Sequence, residues 1–223
     1  MEEYKKEFIA FMVRSGVLTF GNFTTKSGRK TPFFINTGNY DNGTQMSKLG
    51  KFYAETIQKH LANSDYHLFG PAYKGIPLVV TTAISLSELY QKTISFSFNR
   101  KEVKDHGEGG GMVGYQFKDG DNVVIVEDVT TSGASIRETV PLLRKLGKVN
   151  LKALVVSVDR MEKGTGSISA LDELRQEFGL AVYPIVTLNE IVEHLSKTPI
   201  DGKLILTEEL LSAIREYRQK YGV

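Results

Sequence analysis

Apolar and polar positions follow two rhythms along this chain, and the switches between them mark its elements. Residues 2–14 put Phe8, Ile9, Phe11 and Met12 on one helical face that ends near Gly16. Residues 18–41 lose that period and are rich in Gly, Asn, Thr and aromatics, with short strand-like pieces at 20–24 and 33–36. Helical spacing returns over 45–62, followed by a first core strand at 68–70, a loop at 71–75 and a helix over 76–90. Strands are predicted at 93–98, 113–117, 123–126, 151–158 and 182–185, where β-branched and aromatic residues cluster. Helices are predicted beyond residue 135 (apolar at 136, 140, 143 and 146), over 171–178 and 188–195, and over 208–217. Strands alternating with helices predict an α/β fold with a mostly parallel central sheet flanked by helices. The N-terminal stretch, approximately 1–42, reads as a small hood over a core of approximately 43–223, the whole forming a single domain. No internal repeat, low-complexity segment or linker interrupts it.

One switch carries chemistry. Val123-Val124-Ile125-Val126 runs directly into Glu127-Asp128, then Val129-Thr130-Thr131-Ser132-Gly133-Ala134-Ser135, and a helical period follows. The apolar run has no polar alternation, so it belongs in the middle of a parallel sheet, buried on both faces. The acids and hydroxyls therefore sit at the C-terminal end of a central strand, where open α/β sheets bind ligands. Small residues there leave backbone N–H groups free, and the following helix adds its positive end, which together make a phosphate cradle. Two carboxylates beside a phosphate repel it unless they face hydroxyls or a divalent metal. A phosphorylated sugar meets both conditions, with its ribose diol on Glu127 and Asp128 and its phosphate on residues 130–135. The segment resembles the 5-phosphoribosyl-1-pyrophosphate (PRPP) signature of the type I phosphoribosyltransferases. The plain alternative is a buried strand ending in a solvated turn.

Residues 100–111, Arg100-Lys101-Glu102-Val103-Lys104-Asp105-His106-Gly107-Glu108-Gly109-Gly110-Gly111, contain a single apolar side chain and can bury almost nothing. That composition predicts a mobile surface loop whose cations and His106 suit a doubly phosphorylated leaving group. The run resembles the catalytic loop of the orotate phosphoribosyltransferases; otherwise it would be an ordinary solvated charge run. Gly109, Gly111 and Gly114 also satisfy G-x-G-x-x-G. A dinucleotide site requires a preceding strand and a following helix, however, and neither pattern is present here.

Composition narrows the alternatives. The 223 residues are 41% hydrophobic, enough for a substantial core, and the formal net charge of +2 gives no general attraction to nucleic acid. There is no cysteine, which excludes disulfides, thiolate metal sites and cysteine nucleophiles. No apolar run reaches membrane-spanning length, and the acidic start Met1-Glu2-Glu3 is unlike a signal peptide. A soluble, cytoplasmic protein is expected. His60, His67 and His194 share no ligand spacing and read as structural or solvated.

Other segments extend the resemblance to the full length. Lys26-Ser27-Gly28-Arg29 with Thr31-Pro32-Phe33-Phe34-Ile35-Asn36 is similar to the hood segment of orotate phosphoribosyltransferases. Ile35 stands where many relatives carry a second phenylalanine. The resemblance assigns Lys26, Phe34, Ile35, Thr131 and Arg160 to orotate. It assigns Tyr73 and Lys74, in Pro71-Ala72-Tyr73-Lys74-Gly75, to the pyrophosphate of PRPP, with Arg100, Lys101, Lys104 and His106. It names Lys104, Glu127 and Asp128 as catalytic, and residues Glu127 to Ser135 as PRPP contacts. It implies Mg²⁺ carried in by PRPP with no direct protein ligand, and a homodimer whose loops reach across to shared sites. The implied reaction joins orotate to PRPP, giving orotidine 5′-monophosphate and pyrophosphate in pyrimidine biosynthesis. A purine-base phosphoribosyltransferase would share residues 123–135, but the basic loop and the Lys26 segment argue against it. A PRPP-sensing regulator would need a DNA-binding domain, for which the single helix before residue 16 leaves no room.

Overall fold

The structure, a computed structural model, describes residues 1–25, 28–101, 111–130 and 132–223. Lys26, Lys104, His106 and Thr131, four of the residues singled out above, lie outside the described residues, as do Ser27 and most of the 100–111 loop. Helix α1 (Glu3–Arg14) leads into a hairpin of β1 (Leu18–Thr24) and β2 (Lys30–Ile35) and a single 3-10 turn at Thr37–Asn39. There follow α2 (Gly43–Leu61), β3 (His67–Gly70), α3 (Gly75–Tyr90), β4 (Phe96–Asn99) and β5 (Met112–Gly114). The second half contains β6 (Asn122–Glu127), α4 (Ala134–Leu146), β7 (Asn150–Asp159), α5 (Ala170–Phe178), β8 (Ala181–Thr187), α6 (Leu188–Leu195) and α7 (Glu208–Tyr221).

The six-stranded sheet has the order β5-β4-β3-β6-β7-β8, parallel throughout except for the antiparallel edge strand β5. Residues 123–126 are completely buried in its middle, as their unbroken apolar run requires. Alternate side chains serve two cores. Val124 and Val126 join the cluster containing α1, α2 and α3 residues such as Phe8, Tyr53 and Leu86, whereas Val123 and Ile125 pack with Ile136, Val140 and Leu143 of α4 and Leu174 of α5. Each such side chain contributes about 1.5–3 kcal/mol by leaving water. The crossover from β3 runs through α3 to β4 on one side, and that from β6 runs through α4 to β7 on the other. The adjacent ends of β3 and β6 are thus the topological switch point, where a crevice opens.

Two expected strands are shorter than the pattern suggests. The 93–98 segment joins the sheet only at Phe96, because Gln91 ends α3 in a left-handed turn (φ 54°) and the chain must first climb back to the sheet. The 113–117 strand stops at Gly114, which has φ 93° and lies so close to β4 that a Cβ would sit 2.4 Å from the Phe96 carbonyl oxygen. The chain leaves the ladder there, and Tyr115 and Phe117 instead pack their rings around His67.

The hairpin forms its own two-stranded sheet, as expected of a hood, and it also docks on the C-terminal helix. Phe33 of β2 meets Tyr217 of α7 edge-on, with ring centroids 5.7 Å apart, in a small cluster with Leu188. α7 is held in register by Thr207, whose hydroxyl accepts the Leu210 N–H.

Candidate active site

The loop after β3 is shaped by two glycines packed backbone to backbone. A Cβ on Gly70 would lie 2.1 Å from the Gly75 carbonyl oxygen, so only glycine permits the tight return from strand to helix. The Ala72–Tyr73 peptide bond is cis, and the Ala72 N–H donates to Asn99 Oδ1 at 2.8 Å. This turn presents Lys74 across the switch point. Lys74 Nζ lies 3.0 Å from Asp128 Oδ2 and 2.9 Å from Thr37 Oγ1, and Thr37 in turn donates to Asp128 Oδ2 at 2.7 Å. Three segments far apart in sequence therefore meet on one carboxylate oxygen.

The two acids occupy different environments. Asp128 keeps partial access to the crevice, whereas Glu127 is buried at the end of β6, with one oxygen accepting the Asp128 N–H at 3.0 Å. Burial, reinforced by the charge of Asp128, pushes the Glu127 carboxyl up to about 7, against opposing hydrogen bonds from the Asp128 N–H and then Ser135. The backbone beneath them is pinned: Tyr53 Oη donates to the Glu127 carbonyl at 2.7 Å, and Ser157 donates to the Asp128 carbonyl through both N–H and Oγ. Thr130 Oγ1 accepts the Gly133 N–H at 2.9 Å, and Gly133 opens α4 in a left-handed conformation (φ 76°). Thr130 and residues 132–135 thus lead from strand to helix with the α4 N-terminus on the crevice side, where Ser132 lines the cleft, the arrangement that favours an anion.

Beside this lies a cleft of about 530 Å³ whose lining includes Phe34, Ile35, Lys74, Asp128, Val129 and Arg160. Arg160, immediately beyond β7, is nearly buried; its guanidinium stacks 4.7 Å from the Phe33 ring centroid. Its Nε and Nη2 both donate to Glu162 Oε1, at 3.0 and 2.6 Å. Phe34 is partly exposed and stacks on Phe23 at 5.7 Å, so it forms a wall of the cleft and not a core residue.

A sequence model of the phosphoribosyl transferase domain matches residues 36–171, more than half of the chain. The orotate phosphoribosyltransferase of Lachnoclostridium phytofermentans is 56% identical over 223 residues, covering 100% of this chain and 99% of that one. That of Clostridium beijerinckii is 54% identical over 222 residues, with the same coverage. The chain belongs to the orotate phosphoribosyltransferase family. A crystal structure of the orotate phosphoribosyltransferase of Francisella tularensis superposes with a TM-score of 0.83 at 35% identity, covering 97% of this chain and 100% of that one. The central sheet, its flanking helices and the small N-terminal sheet are those of the type I phosphoribosyltransferase fold.

Within the orotate phosphoribosyltransferase framework, the structure gathers Lys74, Glu127, Asp128, Val129 and Ser132 around the crevice, with Phe34, Ile35 and Arg160 on its other side. Thr130, Gly133, Ala134 and Ser135 build the turn into α4. Tyr73 is mostly exposed, and Lys101 Nζ stands 5.3 Å from its ring centroid. Arg100 donates its N–H to the Gly111 carbonyl at 2.7 Å, drawing together the two ends of the basic loop. Sequence reasoning missed Thr37, Arg29, Glu162 and Tyr217. Thr37 follows a hood strand in an Asn-Thr-Gly-Asn turn, a sign of a turn but not of contact with residue 128. His67, read as structural or solvated, has Asp121 at 3.7 Å, at the opposite end of β3 from the crevice.

Proposed function

We propose that the chain transfers the 5-phosphoribosyl group of PRPP to orotate, giving orotidine 5′-monophosphate and pyrophosphate, with the whole chain acting as one catalytic domain. The observation that carries this reading is the meeting of Lys74, Thr37 and Asp128 at the switch point, next to a cleft that ends in Arg160. A strand-end carboxylate, a cation and a helix N-terminus suit a phosphorylated sugar; an arginine against an apolar wall suits a flat carboxylated ring. In this reading Asp128 and Glu127 hold the ribose hydroxyls, and residues 129–135 with the α4 N-terminus hold the 5-phosphate. Tyr73, Lys74, Arg100, Lys101, Lys104 and His106 face the pyrophosphate. Lys26, Phe34, Ile35, Thr131 and Arg160 hold orotate.

As the bond from C1 of ribose to pyrophosphate breaks, positive charge develops on the sugar and negative charge on the leaving oxygens. Lys74 is fixed by Asp128 and Thr37 at the crevice and lies ready to exchange those partners for phosphate oxygens. Charge stabilisation of this kind by Lys74 and the loop residues Arg100, Lys104 and His106 lowers the barrier most where water is excluded. Orotate already carries a negative charge on its carboxylate, and the proton of its ring nitrogen leaves as the new bond to C1 forms, so no strong protein base is needed beforehand.

The donor set at the crevice fits Mg²⁺ entering with its substrate. Glu127 and Asp128 are hard oxygen donors, but they are two, and one Asp128 oxygen is already shared by Lys74 and Thr37. Such a pair suits contact through ribose hydroxyls and water better than an all-protein cage. When bound, the ion would neutralise pyrophosphate charge. The substrates are soluble anions, and we place the reaction in the cytoplasm. We also propose a homodimer with shared sites, supported by the half-exposed Ile84 and Leu89 on α3. Mixing Lys104→Ala with Asp128→Asn subunits tests this: activity returns if the loop acts on the neighbouring site, and no recovery after demonstrated subunit exchange rejects sharing.

The decisive assay is product formation from PRPP with orotate, adenine or hypoxanthine, with and without Mg²⁺. Orotate turnover that depends on Mg²⁺ is expected. Preference for either purine would overturn the reading.

A further inference from the structure

The base side of the cleft holds a carboxylate that the reaction does not require. Glu162 is 6% exposed; its Oε1 accepts bonds from Arg160 Nε (3.0 Å), Arg160 Nη2 (2.6 Å) and Tyr217 Oη (2.8 Å), and its Oε2 accepts one from Arg29 Nη1 (3.3 Å). A buried negative charge beside an arginine that receives an anion works against that anion unless it contributes something else. Its geometry shows what it contributes.

A guanidinium offers two bidentate edges, one from Nε and Nη2 and one from the two Nη atoms. Both bonds to Glu162 come from the first edge. Nη1 has no partner among the described residues, so the end-on edge stays open. The Phe33 ring, 4.7 Å from Cζ, fixes the plane of the group. Met161 between the two residues adopts φ 52°, a conformation that a side-chain-bearing residue enters at a cost, and its N–H is held by Asp159 Oδ1 at 2.8 Å. This turn brings Glu162 back onto Arg160.

We propose that Glu162 is a positioning residue for base recognition. It fills the side edge of Arg160, so that the end-on edge meets the carboxylate of the base in two parallel bonds. Through Arg29 and Tyr217 it ties that orientation to the hood and to α7. Arg29 and Arg160 together outweigh the one charge of Glu162, so the cluster keeps the positive sign that a carboxylated ring requires. The inference rests on the assignment of Arg160 to the orotate carboxylate.

The test is a double-mutant cycle in the full-length enzyme, measuring KM for orotate and for PRPP, kcat and the melting midpoint. Glu162→Ala should raise the orotate KM by about tenfold, the scale of one charged hydrogen-bonding partner, while the PRPP KM moves less than about twofold. Glu162→Gln keeps an acceptor and should fall between parent and Glu162→Ala. In an Arg160→Ala background, Glu162→Ala should add less than about twofold, because its effect passes through Arg160. If Glu162→Ala does not fold, Tyr217→Phe removes one donor only and should raise the orotate KM by about threefold. An unchanged or lowered orotate KM, or an equal effect with and without Arg160, overturns the proposal. If Arg160→Ala leaves the orotate KM unchanged, the base assignment falls as well; if it raises the KM and Glu162→Ala does not, only the positioning role falls.

Discussion

The two sides of the cleft are built in opposite ways. The phosphoribosyl side is mostly continuous in sequence: one strand end and one helix N-terminus carry residues 127–130 and 132–135, and two turns add Lys74 and Thr37. The base side is assembled from three distant places: the hood hairpin with Arg29 and Phe34, the end of β7 with Arg160 and Glu162, and α7 with Tyr217. In the proposed reading, chemistry common to phosphorylated sugars is concentrated in the first, and the choice of base depends on the second. A local motif carries its groups on one stretch of chain, here anchored by Tyr53 and Ser157 on the carbonyls of Glu127 and Asp128. An assembled pocket depends on long-range packing, so its recognition residues need additional contacts such as those of Glu162 to keep their orientation.

Substitutions on the two sides should therefore fail differently. The largest effect is expected from Asp128→Asn, which weakens the contact with Lys74 and the hold on the ribose while leaving the core intact. Loss of about 3 kcal/mol of transition-state stabilisation, near a hundredfold in turnover, is the expected scale. A collapsed melting temperature with full activity in the surviving folded enzyme would instead make Asp128 structural. Arg160→Ala should cost about 2 kcal/mol, seen almost entirely in the orotate KM and not the PRPP KM. Equal loss for both substrates would erase the distinction between the two sides.

Much of this division was visible in the sequence, for physical reasons. The run from Val123 to Val126 had no polar alternation, so its central, doubly buried position followed from period alone, and with it the location of Glu127 and Asp128. Local patterns cannot report contacts across 91 residues, such as Thr37 with Asp128, or across 55 residues, such as Tyr217 with Glu162. Periodicity likewise indicated α7 as amphipathic but not that its buried Tyr217 faces the hood. The early end of β5 depended on the close approach of Gly114 to β4, which strand-like alternation at 113–117 does not reveal.

Smaller effects sharpen the picture on the phosphoribosyl side. Glu127 binds its proton more tightly in the folded chain, at about 7 against an ordinary 4.5. Folding is thus unopposed by this group below pH 4.5, and stability is lost as pH rises toward 7. Glu127→Gln should raise the melting temperature at pH 8, by the equivalent of about 2 kcal/mol, and give no gain at pH 4. A gain of the same size at both pH values would show that burial of its charge is not the cause. Thr37→Val should have the smallest effect, about 1 kcal/mol in kcat/KM, by removing one hydrogen bond to Asp128. A loss as large as that of Asp128→Asn would give Thr37 a direct role with substrate.

The central claim is that the base is chosen by its carboxylate at Arg160, on a side of the cleft separate from the PRPP machinery. The direct measurement is the ratio of kcat/KM for orotate to that for uracil, which lacks the carboxylate, in the parent enzyme and in Arg160→Ala at saturating PRPP. Because groups built to bind a substrate's polar atoms are left unpaired by an analogue lacking them, a ratio of about 10³ or more is expected in the parent, falling by at least about tenfold in Arg160→Ala. Comparable activity on uracil and orotate in the parent, or a ratio untouched by the substitution, would contradict the account.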